Sequence, residues 1–103
     1  MQIYKTPLRE IKFLIEDFLN LKESETLKKL DLETSDLMLI IEEAAKLCEE
    51  TLLPLNQSGD SEGCSFNNGV VTAPKGFKEA YKTFSENGWQ GLKVKEEFGG
   101  QNL

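Results

Sequence analysis

Residues 35–53 read SDLMLIIEEAAKLCEETLL, and their spacing decides the class of fold. Leu37, Ile40, Ile41, Ala44, Leu47, Cys48 and Leu52 fall on one side of a helix and form a continuous apolar stripe. Glu42, Glu43, Glu49 and Glu50 lie largely off it. The pattern predicts an amphipathic helix from Ser35 to Leu53 with an acidic outer face. Pro54 follows and is expected to end it, because the residue before a proline is pushed away from helical backbone angles. A stripe of this kind is packing core far more often than a partner groove.

Working outward, the N-terminal side is also helical. Leu8, Ile11, Ile15 and Phe18 recur at helix spacing, with Leu14 and Leu19 widening the stripe. Thr6 suits the N-cap and Pro7 the first helical position, where a missing N–H costs nothing. A short second helix is expected from Ser24 to Leu30, with Leu27 and Leu30 facing in, and at that length it depends on tertiary packing.

On the C-terminal side, residues 56–64 read NQSGDSEGC, a turn-rich connector by composition. Asp60 and Glu62 among glycines resemble a piece of a calcium loop, but the alternating ligands and closing Glu of that motif are missing. Asn56-Gln57-Ser58 matches a glycosylation sequon by chance, there being no secretory route to use it. Next, Cys64-Ser65-Phe66 and Val70-Val71-Thr72 flank Asn68-Gly69, the pair that best tolerates positive φ at both centres of a type I′ turn, so a small hairpin is expected. A fourth helix runs from Gly76 to Glu86, with Phe77, Ala80, Tyr81 and Phe84 as its stripe and Asn87-Gly88 as its stop. The expected fold is therefore mainly α, about four helices with one inserted β-hairpin.

Charge and composition narrow the function. The chain has 103 residues, 18 acidic against 12 basic, for a net charge of −6. That sign disfavours nucleic-acid binding, which draws its affinity from positive charge set against phosphate. The longest apolar run, Leu37–Ile41, is too short to span a bilayer, and Met1-Gln2-Ile3-Tyr4-Lys5 does not lead into a signal peptide. Cys48 and Cys64 are read as free, buried thiols, which fits a cytoplasmic chain. Histidine is absent. Its absence removes Ser-His-Asp and Cys-His nucleophile pairs, histidine-ligated metals and the commonest general base at neutral pH. No catalytic or metal-binding residue is therefore expected within the chain.

The C-terminal signals acquire meaning from their order. LNQSGDSEGC is followed by APKGFKEAY, then by Gly88-Trp89 and by EEFGGQNL at residues 96–103, and the chain opens with YKTPLREIKFLIEDFL. Together these resemble the N-terminal helical domain of the flavin-dependent acyl-CoA dehydrogenase family, in the bacterial subgroup that includes the 3-methylmercaptopropionyl-CoA dehydrogenases. The resemblance implies residues 1–33 as an N-terminal extension and 34–103 as the dehydrogenase-type helical domain, one piece of a longer enzyme. It implies oxidation of an acyl-CoA thioester to the 2,3-enoyl-CoA, with FAD taking the hydride and a carboxylate in another part of the enzyme taking the α proton. It further implies that this piece walls part of the acyl pocket, supports subunit contacts in a homo-oligomeric enzyme and binds no FAD by itself. Cut from the other domains, the piece is expected to leave apolar surface uncovered and to self-associate through the face near Trp89, Leu92 and Phe98.

Gly99-Gly100-Gln101 spells a tripeptide also used by peptide-chain release factors at the peptidyl-tRNA ester. In an acidic helical chain that reading is disfavoured. Under the resemblance, Phe98, Gly99, Gly100 and Gln101 match a loop that approaches the acyl and flavin region, where glycine permits close backbone approach. The plainer alternative is a turn leading onward in the chain. Trp89 matches a core aromatic of the family, and simple packing explains it equally. Asn102 departs from the pattern, standing where the family usually has another Gly. A free-standing, non-catalytic helical interaction module is the alternative to the dehydrogenase reading.

Overall fold

The N-terminal helix begins one residue later than its sequence suggests, and for a backbone reason. The computed structural model describes residues 3–103; Met1 and Gln2, the first letters of the segment read as lacking a signal peptide, lie outside them. The chain divides into two compact units, Met1–Glu50 and Thr51–Leu103.

In the first unit, Pro7 (φ −78°, ψ 67°) makes an inverse γ-turn, with Leu8 N–H donating to Thr6 C=O at 2.8 Å. This displaces Thr6 from the N-cap. Helix α1 spans Leu8–Phe13 with no side-chain cap, and the Thr6 hydroxyl is buried away from the helix start. The helix then widens into a π segment, Leu14–Phe18, closed by Leu19 N–H to Leu14 C=O at 2.8 Å. A π turn holds more residues than an α turn, so each residue rotates less about the axis. Ile15 stays buried, while Phe18, on the same face in an ideal α-helix, swings out to 72% exposure.

A 3₁₀ turn at Leu21–Glu23 leads to α2, Glu25–Lys29, which buries Leu27 and leaves Leu30 half-buried. Ser24 precedes α2, but its side chain makes no cap bond. Helix α3, Thr34–Lys46, starts with Glu33 N–H donating to the Asp36 carboxylate at 2.8 Å. The residues it buries are Met38 and Ala45; Leu37, Ile40, Ile41 and Ala44 of the expected stripe are half-buried. The apolar arc is broad enough to include both sets, and tertiary packing selects one edge of it. Leu47–Leu52 form a second π segment.

In the second unit, Pro54 does not end the helical run. Helix α4 is Leu53–Glu62, with Pro54 near its start and the π segment Leu47–Leu52 immediately before it. The expected NQSGDSEGC connector is thus helical through Glu62, and Gly63 (φ 67°) caps it. Gly59 is buried in mid-helix because the Phe77 ring occupies the space a Cβ would need. Glu62, the one-time calcium-loop candidate, accepts the Lys75 N–H at 3.1 Å.

Strands β1 (Ser65–Asn67) and β2 (Val70–Thr72) pair antiparallel in the register Ser65–Thr72, Phe66–Val71, Asn67–Val70. Asn68 (φ 51°) and Gly69 (φ 79°) supply the two positive-φ centres expected of the turn. Helix α5, Phe77–Glu86, follows Gly76 (φ 90°) and stops at Asn87-Gly88 (Gly88 φ 76°). Its stripe is only partly buried: Ala80 is in the core and Phe84 half-buried, but Tyr81 is 71% exposed. The architecture is mainly α with one two-stranded hairpin, as the sequence predicts. Both cysteines are free, but neither is buried as expected; Cys48 is half-buried and Cys64 exposed.

Candidate functional site

The segment Phe98–Gln101 belongs to a backbone knot at the end of the second unit. After Gly88, a 3₁₀ turn at Trp89–Gly91 and another at Glu96–Phe98 reverse the chain twice. Gly99 (φ 85°) closes the second turn by donating its N–H to Glu96 C=O at 2.9 Å. The next four N–H groups then bond inward. Gly100 donates to Lys95 C=O at 3.1 Å, Gln101 to Gly91 at 3.0 Å, Asn102 to Val94 at 2.9 Å and Leu103 to Leu92 at 2.8 Å.

Each expected site residue has a distinct place. Phe98 projects outward at 74% exposure, Gly99 provides the left-handed turn, and Gln101 is exposed. Gly100 is buried, with the Val94 carbonyl where a Cβ would stand. The close backbone approach that glycine permits is therefore made here to Val94 of the same chain. Asn102 lies at φ 59°, a left-handed conformation that glycine adopts freely and asparagine tolerates better than most residues. Its departure from the family's glycine keeps the backbone requirement. Trp89 and Leu92 are half-buried beside the knot.

Chemically, the segment offers an aromatic ring and a primary amide on a fixed backbone, suited to apolar contact and hydrogen bonding. None of its four residues is an acid, base or nucleophile. The neighbouring ionisable groups, Lys95 and Glu97, lie 4.0 Å apart and are largely exposed. A shallow depression of about 380 Å³ is found elsewhere in the second unit, lined by Ala73, Pro74, Lys75, Gly76, Lys78 and Glu79. Among the described residues no three His, Cys, Asp or Glu side chains gather as a metal would require, and no helix is long and apolar enough to cross a membrane.

A polar arrangement missed by the sequence reading lies in the first unit. Glu49, assigned above to the acidic outer face, accepts the Thr6 N–H at 2.7 Å and the Lys5 ammonium at 2.9 Å. The Lys5 hydrogen bond, then the Thr6 N–H, hold its carboxyl below the usual range; the same bond raises Lys5. Lys46 is likewise raised by its hydrogen bond to Glu43 at 2.5 Å. The Lys5 and Thr6 partners lie more than forty positions from Glu49, beyond the reach of any local pattern.

No family model matches the chain. It is similar to 3-methylmercaptopropionyl-CoA dehydrogenase of Ruegeria pomeroyi, with 38% identity over 101 residues. That alignment covers 97% of this chain and 17% of the relative, so the chain spans about a sixth of that protein's length. The resemblance to an acyl-CoA dehydrogenase, drawn from scattered motifs, thus holds along nearly all of the sequence.

Proposed function

We propose that this chain is the N-terminal helical domain of an FAD-dependent acyl-CoA dehydrogenase, an oxidoreductase that converts an acyl-CoA thioester to its 2,3-enoyl product. In this reading residues 1–33 are an N-terminal extension and 34–103 the dehydrogenase-type helical domain. The observation that carries it is identity of 38% along 97% of the chain to a dehydrogenase about six times longer. The knot's geometry supports a wall rather than a reaction centre. Phe98, Gly99, Gly100 and Gln101 would border the acyl pocket, with the Phe98 ring supplying apolar contact.

In this reading no flavin contact falls in the knot. The backbone N–H groups from Gly99 to Leu103, the natural donors for an anionic cofactor in a glycine-containing loop, are each bonded within the knot. The flavin contacts and the carboxylate base are accordingly assigned to the rest of the enzyme. The chain itself would support subunit contacts in a cytoplasmic homo-oligomer.

Expressing the longest reading frame that contains residues 1–103 tests the proposal. The product should bind FAD, absorb in the visible and form enoyl-CoA with an electron acceptor, whereas residues 1–103 alone should stay colourless. A full-length product without flavin and without acyl-CoA oxidation would favour the interaction-module reading. Stoichiometric FAD on residues 1–103 would overturn the assignment of the cofactor site.

A further inference from the structure

The start of α1 lacks a cap of its own. Pro7 occupies the N-cap position with no side-chain acceptor, and the Thr6 hydroxyl is buried facing Glu49. A helix N-terminus with free N–H groups favours a nearby anion or acceptor oxygen. The Glu49 carboxylate, on the π segment that follows α3, binds the two residues just ahead of that N-cap rather than the helix N–H groups themselves, its Oε1 taking the Thr6 N–H at 2.7 Å and its Oε2 the Lys5 ammonium at 2.9 Å. The Glu49 side chain is 18% exposed and that of Lys5 85% exposed, so the anion is sheltered while the cation remains in water.

Apolar adhesion of the same segment is thin. Ile15 is buried, but Phe13, Leu14, Phe18 and Leu19 are exposed. We propose that Glu49 is a charge-dependent latch, holding the N-terminal segment (residues 3–20) to the rest of the first unit through Lys5 and Thr6 so that it can detach while α3 stays folded. The charged groups acting on the pair are Lys5 itself and Glu50, which lies close enough to stabilise the Lys5 cation; Lys46 is engaged by Glu43.

The sign of the pH dependence follows from the two directions. The Glu49 carboxyl is depressed, so its contribution is complete above the ordinary carboxylate range and is lost as pH falls through its lowered value. Lys5 is raised from 10.5, so its contribution is complete below that value and lost only as pH rises beyond its elevated one. The latch is closed at neutral pH and opens in acid.

Amide hydrogen exchange on the 103-residue chain, expressed as protection factors from pH 7 to pH 3, tests this. Glu49→Ala should lower protection of the Thr6 and Ile11 amides about fivefold at pH 7, the size expected for losing one hydrogen bond, with the Met38 and Ala45 amides unchanged. Glu49→Gln keeps an acceptor oxygen for Thr6 and should abolish the acid-dependent step, while Lys5→Met should remove the salt sensitivity of Thr6 protection. Undiminished Thr6 protection in Glu49→Ala, or an acid step persisting in Glu49→Gln, would overturn the latch. Loss of protection at Met38 and Ala45 in step with Thr6 would overturn the claim that the segment detaches separately.

Discussion

At the scale of single residues, Gly59 and Gly100 are both buried and both lack room for a Cβ, yet what blocks them differs. At Gly59 the obstacle is the end of the Phe77 side chain, which is 40% exposed and has solvent to swing into. Replacing a mid-helix glycine by alanine also recovers about 1 kcal/mol of helix propensity. Gly59→Ala is therefore expected to change stability by less than about 1 kcal/mol in either direction. At Gly100 the obstacle is the Val94 carbonyl, which also accepts the Asn102 N–H, so neither atom can yield without breaking the knot. Gly100→Ala should cost about 1–3 kcal/mol, the usual range for overpacking. Urea titrations of the two variants check the contrast, and equal costs at both sites would contradict it.

Elements were legible where the signal was local. The Asn68-Gly69 turn could be read because positive φ is a property of two adjacent residues, and both adopt it. Asn68→Ala should destabilise the hairpin by about 1 kcal/mol, since alanine enters the left-handed region at a cost of that order; loss of the cross-strand NMR contacts between Phe66 and Val71 would report it. The span and stop of α5 were visible for the same reason. What escaped were features set by register and by distant partners. The π segments at Leu14–Phe18 and Leu47–Leu52 leave no mark in a 3.6-residue pattern, so Phe18 was assigned inward and Pro54 read as a terminator. Gly59 looked like a loop residue because the ring that requires it, Phe77, is remote in sequence. In the knot, the glycines were recognised as sites of close approach, but the partner, Val94, was not.

At the scale of the molecule, the core is thin. Among the described residues the buried hydrophobics are Ile15, Leu27, Met38 and Ala45 in the first unit and Ala80 in the second, two of them alanines, while Phe66, Val70, Val71 and Phe98 stand in water. Large apolar side chains exposed in this number favour association or aggregation. Residues 1–103 in isolation should therefore self-associate, seen as a mass that rises with concentration in size-exclusion chromatography with light scattering, and Phe98→Ser should weaken it. A strictly monomeric profile across a hundredfold concentration range would contradict this. One consequence concerns how the molecule can be watched. Trp89 is the chain's single tryptophan, half-buried beside the knot, whereas the first unit carries only Tyr4 as a weaker fluorophore. Tryptophan emission therefore reports on the local state of Gly88–Leu103, and a two-step loss of structure beginning at Glu49 would pass spectroscopically silent until a second fluorophore is placed in the N-terminal helix.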